Sequence, residues 1–157
     1  MELPQRRHPG RQPVYDLGNR SNIIFLTVCT HQRKQILASD AVHRVLLNAW
    51  TAADHWIVGR YVIMLDHIHL FCSPARSDFL SVKAWFRFWK SKASQSWPDL
   101  GMHPVWQVDG WDTQLRKGDS YSAKWDYVRN NPVRHGLVIQ PENWPYQGEM
   151  HLLRWHD

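Results

Sequence analysis

Two short segments carry residue types that can do chemistry together. The first, Asp66-His67-Ile68-His69-Leu70, places imidazoles at positions i and i+2. On a β-strand successive side chains point to opposite faces, so His67 and His69 project side by side while Ile68, Leu70 and Cys72 point into a core. Two neighbouring imidazoles on a solvent-accessible sheet face can share one divalent cation and leave positions for an oxygen ligand, water and substrate. They can equally be two surface histidines. The second segment is KWDYVRNNPVRHGLV, Lys124 to Val138. Residues three, four and seven apart share a helix face, which puts the cation of Lys124, the phenol of Tyr127 and the amide of Asn131 on one stripe. Tyr127 can serve as a nucleophile, the Asn131 oxygen as a third metal ligand and Lys124 as a partner for phosphate. The plainer alternative makes Tyr127 a packing residue and Asn131 a helix-end residue. Asn130 and Arg134 read as helix-end residues, and His31, His43, His55, His103, His135, His151 and His156 lack a spacing that defines a site.

The elements that must position these residues follow from periodicity. Asn22 to Thr30, NIIFLTVCT, reads as a mostly buried strand. Ser39 or Asp40 can cap a helix with Val42, Val45, Leu46, Ala49 and Ala53 on one face. Ile57 to Met64 is a second strand, Leu65-Asp66 a short break, and HIHLFCS a third strand ended by Pro74. A second helix runs from about Phe79 to Trp97 with Val82, Trp85, Phe86, Trp89 and Ala93 inward. Val105 to Val108 is a short strand. A last helix starts near Asp119, packs Tyr121, Trp125 and Val128, and ends close to Pro132, because the residue before proline resists helical dihedrals. The order β-α-β-β-α-β-α defines an α+β fold: a ferredoxin-like split βαβ with a central antiparallel sheet and an additional C-terminal helix carrying the tyrosine.

Composition narrows the partners. At 157 residues, 43% hydrophobic and 21% charged, the chain has material for one core-bearing domain. It contains no apolar run long enough for a transmembrane helix, and MELPQRRHPGRQP has no apolar stretch of a secretory signal. Cys29 and Cys72 both sit in apolar runs and read as buried thiols of a reducing compartment, so a cytoplasmic location is expected. A formal net charge of +5 points to an anionic partner, and nucleic acid fits better than a membrane surface. Ten tryptophans beside that charge fit either base-stacking platforms or a tryptophan-rich core under an ordinary basic surface. Residues 1–20 form a proline-broken basic arm with Arg6, Arg7 and Arg11, and residues 21–157 the single domain. That arm, the loop residues Arg33 and Lys34, and the helical stripe Lys83, Arg87 and Lys90 are the candidate DNA contacts.

Several segments in order resemble a known family, the HUH single-tyrosine transposases, and within it the REP-associated tyrosine transposases of bacteria. MLDHIHLF (Met64–Phe71) is similar to the family's Met-Pro-Asn-His-Val-His segment, with Leu65 for the usual proline and Asp66 for the usual asparagine. VKAWFRFWKSK (Val82–Lys92) resembles its lysine-rich helix, and VWQVDGWDTQLR (Val105–Arg116) its Trp-Gln segment. YVRNNPVRHGLV (Tyr127–Val138), followed by ENWPYQ (Glu142–Gln147), is the most specific match. The resemblance implies that His67 and His69 are ligands of Mg²⁺ or Mn²⁺, with Asn131 as the third ligand and Tyr127 as the nucleophile. It further implies metal-dependent cleavage and rejoining of single-stranded, hairpin-bearing DNA through a 5′-phosphotyrosine, by a monomer rather than a homodimer. Lys124 as a phosphate or leaving-group stabiliser is suggested by the spacing and not by the family. A non-catalytic DNA or RNA hairpin-binding protein on the same fold is the alternative.

Overall fold

Apolar and alternating runs become the strands of a single antiparallel sheet in a computed structural model that describes residues 22–155. They are β1 (Ile24–Thr30), β2 (Trp56–Ile63), β3 (His67–Pro74), β4 (Trp106–Gln114) and β5 (Gln147–Glu149). The helices are α1 (Asp40–Ala52), α2 (Val82–Gln95), α3 (Tyr121–Arg129) and the short α4 (Asn131–Arg134). The strand order is β4-β1-β3-β2-β5. Chain order and strand order together give the ferredoxin-like split βαβ, with β5 added beyond β2.

Local chemistry explains where the helices start. The hydroxyls of Ser39, Ser81 and Ser120 accept hydrogen bonds from the backbone N–H groups of Val42, Ala84 and Ala123, capping α1, α2 and α3. The cap of α3 is therefore Ser120. Asp119 instead accepts from the Arg116 N–H at 2.7 Å, closing the turn before the helix. Expectation and structure differ more at the edges. The strand expected over Val105–Val108 extends to Gln114, because β4 is an edge strand whose polar run, Asp109 to Gln114, needs burial on one side only. Gly110 sits there because a Cβ would lie 3.0 Å from the carbonyl oxygen of Thr27 on β1. The three residues of β5 are too few to show a period.

The sheet has two covered faces. Ile24, Leu26 and Val28 of β1 and Ile68, Leu70 and Cys72 of β3 meet α1 and α2 on one of them. On the other, Val62, Met64 and Phe71 pack with Leu115, Tyr121, Val128, Trp144 and Leu153. The tryptophans belong to these layers. Trp56, Trp85, Trp89, Trp106 and Trp97 meet in succession at ring separations of 5.6 to 6.2 Å. Trp111, Trp125 and Trp155 are half-buried, and none of the described tryptophans is exposed. The aromatic surplus thus builds the core, where each buried ring stabilises by about 1.5–3 kcal/mol. Both cysteines are free and buried. Among the described residues no helix is long and apolar enough to cross a membrane.

Packing of α2 on β4 corrects the expected basic stripe. Lys83 and Arg87 are exposed, with Lys83 3.4 Å from Asp109. Lys90 is only 6% exposed. Its ammonium donates to the carbonyls of Gln107 and Val108 at 2.8 and 3.0 Å and lies 5.0 Å from the Phe86 ring, so it has no face to offer DNA. Burial pushes the Lys90 amine down to about 8. The unfolded chain keeps that proton until about pH 10.5. Above pH 8 the unfolded state therefore binds more protons, and stability should rise with pH. Relative to Lys90→Met, the wild-type chain is expected to gain up to about 1.4 kcal/mol per pH unit between pH 8 and 10 in urea unfolding. A pH-independent gap would show that the folded ammonium keeps its charge across this range.

Candidate active site

The site is built on β3, the central strand. His69 lies opposite Thr27 of β1 and Val62 of β2, and His67 opposite Cys29. Strand pleating puts both imidazoles on the face away from α1 and α2, with ring centroids 4.8 Å apart. That face was expected to be open to solvent. It is not: His67 and His69 are 2% and 3% exposed. The reason is the second layer, in which α3, α4 and the chain through Trp144 and Leu153 pack across the sheet.

Each imidazole is held through Nδ1. His67 Nδ1 stands 2.7 Å from Asp66 Oδ1, and His69 Nδ1 stands 2.9 Å from Thr27 Oγ1. Burial pushes the Asp66 carboxyl up, but hydrogen bonds from His67 and Arg33 outweigh it and hold the group well below the usual carboxylate range. An ionised carboxylate only accepts, so Nδ1 of His67 is the donor of this pair, and in the neutral ring Nε2 holds the lone pair. That Nε2 is buried without a hydrogen-bond partner. Burial first, then the neighbouring His67, Arg134, Arg33 and His135, push His69 well below its ordinary value and keep it neutral. Phe25 stacks on the His69 ring at 5.3 Å.

Asp66 is fixed in turn. It occupies the tight β2–β3 turn, where Met64 N donates to His67 O at 2.8 Å and Thr30 N to Asp66 O at 2.9 Å. Arg33 Nε reaches its Oδ2 at 3.0 Å from a turn in which Gln32 and Arg33 both adopt positive φ, 55° and 53°. That backbone is costly for non-glycine residues and is held here by the ion pair. Arg33 is thus ion-paired through Nε, with its side chain 35% exposed. The Lys34 ammonium donates to the carbonyls of Met102 and Pro104. Arg6, Arg7 and Arg11 lie outside the described residues.

The second segment arrives from α3. Tyr121 anchors that helix: its hydroxyl accepts from Arg60 N at 3.3 Å, and its ring meets Phe71 edge-on at 4.9 Å. Burial pushes the Tyr121 phenol up to about 12. Tyr127 is 62% exposed and is the one exposed tyrosine among the described residues. Asn131, four residues on, is 1% exposed. They do not share an environment because the helix breaks at Asn130, and Pro132 opens α4 on a new axis. Arg134 joins them: Nη2 donates to Asn131 Oδ1 at 2.6 Å, and the guanidinium carbon sits 4.0 Å from the centre of the Tyr127 ring. His135 follows, its ring 6.4 Å from that of His67. Lys124 is exposed one turn before Tyr127. Sequence reading passed over Thr27, Arg134 and His135. Thr27 becomes visible only through strand register, and Arg134 only through the break after α3.

The donors fit a divalent cation. A buried imidazole nitrogen with its lone pair unused is what a metal ligand requires, and a carboxylate on the other nitrogen is its usual orienting partner. Among the described residues no three His, Cys, Asp or Glu side chains are arranged to hold a metal. A further donor among the described residues would therefore be an oxygen of another type, and the Asn131 amide lies on α4, buried in the layer that covers this face.

Fold and site together define a ferredoxin-like α+β domain whose central strand carries a buried His-x-His pair, with an exposed tyrosine on the helix α3. No protein-family model matches the sequence. A REP-associated tyrosine transposase of Escherichia coli K12 is 26% identical over 132 residues, 83% of this chain and 70% of the relative. A Haemophilus influenzae protein provisionally given the same name is 22% identical, over 81% of this chain and 79% of its own. A solved REP-associated tyrosine transposase, bound to a REP hairpin, superposes with a TM-score of 0.66 at 22% identity, covering 94% of this chain and 82% of its own. The sequence is thus similar over most of its length to proteins named REP-associated tyrosine transposases.

The Asp66 interactions have a measurable consequence. A carboxyl held down in the folded state adds stability that is complete above its unfolded value near 3.8 and fades as the pH falls below it. Asp66→Asn is expected to cost about 1–3 kcal/mol at pH 7. The gap from wild type should close below pH 4 in thermal unfolding. An equal gap at pH 7 and pH 3 would mean that the charge contributes nothing.

Proposed function

We propose that the protein is a single-stranded DNA endonuclease and strand transferase that recognises hairpin DNA and works by tyrosine transesterification. The observation that carries this reading is the exposed Tyr127 phenol under the Arg134 guanidinium, where the next residue along the chain, His135, stands 6.4 Å ring to ring from a buried histidine with an unused Nε2. The other described tyrosines are buried or half-buried, and Tyr121 is held neutral. Of the described phenols, Tyr127 is the most exposed to an incoming DNA backbone.

His67, His69 and Asn131 would hold Mg²⁺ or Mn²⁺, which supplies charge neutralisation for a phosphate under attack. Tyr127 Oη attacks phosphorus in line and its proton passes to solvent. The Oη–P bond forms as the P–O3′ bond breaks and the departing O3′ takes a proton from solvent, leaving a 5′-phosphotyrosine and a 3′-hydroxyl. Attack by a 3′-hydroxyl reverses the exchange and joins strands, with no nucleotide cofactor needed. Asp66 and Thr27 keep the imidazoles turned with Nε2 outward, and Lys124 is free to meet a phosphate. The relationship to proteins named REP-associated tyrosine transposases, one solved with a REP hairpin, supports the hairpin assignment.

Incubating the protein with labelled single-stranded hairpin DNA and Mg²⁺ or Mn²⁺, then denaturing, should give a shifted covalent band that EDTA abolishes. Tyr127→Phe is expected to lose the adduct entirely while hairpin affinity stays within about threefold, because a nucleophile contributes chemistry rather than binding. His67→Ala should lose it at any Mn²⁺ concentration. Binding without an adduct on every hairpin and with either end labelled would leave a hairpin-binding protein without catalysis. A separate outcome concerns Lys83 and Arg87. Replacing both by Ala should reduce the slope of log K against log salt by about 0.7 for each single-strand phosphate that is no longer neutralised. An unchanged slope returns that face to solvent.

A further inference from the structure

Arg134 has an unusual set of neighbours for an exposed cation. Its guanidinium lies against the face of Tyr127 at 4.0 Å and donates to Asn131 Oδ1 at 2.6 Å. Arg33, Arg60, Arg76 and Arg129 each pair with a carboxylate. Arg134 pairs with none among the described residues, and its side chain is exposed. A guanidinium offers five N–H donors in a planar fork suited to phosphate. It is held beside the phenol with most of that fork unused and no described anion to receive it. It also engages the Asn131 amide oxygen, the proposed cation ligand beside the histidine pair.

This arrangement conflicts with a bound dication. A guanidinium hydrogen-bonded to Asn131 Oδ1 places a like charge a few ångströms from any cation using that oxygen, in a buried site where screening is weak. A phosphate between them removes the conflict by giving both cations a shared counter-charge. We propose that Arg134 is an anion-sensing latch: without DNA it occupies the Asn131 amide and braces the Tyr127 ring, and a backbone phosphate reaching the tyrosine draws it off, releasing the amide oxygen for the cation. The inference rests on the reading of His67, His69 and Asn131 as a cation site. It makes cation and phosphate binding mutually reinforcing, and it makes the DNA-free protein a poor cation binder.

The test measures Mn²⁺ binding to the full-length protein without DNA, from the free-ion electron paramagnetic resonance signal, alongside adduct yield with hairpin DNA. Arg134→Ala and Arg134→Met remove the charge and donors, the latter keeping an apolar stem over Tyr127 if Ala unsettles the fold. Both are expected to bind Mn²⁺ at least ~fivefold more tightly than wild type, at the low end of site-to-site couplings. Adduct yield should fall in the same variants. That opposition of sign separates a latch from a merely structural role, which would weaken cation binding and adduct formation together. Unchanged or weaker Mn²⁺ binding in both variants, with wild type binding normally and His67→Ala not, overturns the latch alone. Mn²⁺ binding that is undetectable in all of these proteins overturns the cation reading and the latch with it.

Discussion

A strand hydrogen-bonded on both edges cannot rotate, and in this protein that constraint falls on β3. With β1 on one side and β2 on the other, its pleat must send Ile68, Leu70 and Cys72 to the helical layer and His67, His69 and Phe71 to the opposite face. Everything on that second face answers to the result. Two imidazoles taken out of water need partners, and the backbone neighbourhood supplies one each: Asp66 from the adjoining turn and Thr27 from the facing strand. Both partners take Nδ1. This leaves the His67 Nε2 buried with nothing to bond, at a cost of about 1–3 kcal/mol. An unsatisfied group maintained at such cost in a rigid strand marks a place kept for something to bind.

The departure of Asp66 from the asparagine usual in the resembling family acquires a physical meaning here. Asparagine can accept from His67, but it carries no charge to hold Arg33. The ion pair ties the β2–β3 turn to the turn after β1, where Gln32 and Arg33 are held at positive φ. Charge, turn geometry and imidazole tautomer therefore form one connected unit, and His67 inherits its orientation from a residue in the turn that follows the neighbouring strand.

The covering layer decides what reaches that unit. Tyr121 fixes the start of α3 against β2, so the helix presents Tyr127 outward at its far end. The break at Asn130 and Pro132 then turns the chain inward, burying Asn131 and setting Arg134 back over the tyrosine. Four residues of sequence thus separate a group that meets solvent from one that is buried. The basic surplus divides in the same way. Arg33, Lys34 and Lys90 are engaged by carboxylate and carbonyl partners within the protein, while Lys83 and Arg87 remain at the surface.

What the sequence determined by itself was whatever is encoded at short range. Strand alternation separated His67 and His69 from Ile68 and Leu70, serine caps and apolar spacing placed α1 and α2, and the order of elements defined the split βαβ sheet. The spacing from Lys124 to Asn131 marked candidate residues, although it placed Tyr127 and Asn131 on one stripe that the break after α3 divides. Tertiary structure decided what depends on distant pairing. Composition left the tryptophans balanced between platform and core, and burial in the two packed layers settled them as core. The polar edge strand β4, the three-residue β5 and the burial of Lys90 under β4 carbonyls have no local period to betray them. Thr27 joins the site because register sets it opposite His69, and the histidine face is closed because α3 and α4 fold across it. Arg134 illustrates the difference most plainly. In sequence it is one more charge after a proline; only the turn of the chain at Asn130 brings its guanidinium onto the phenol and the amide at once.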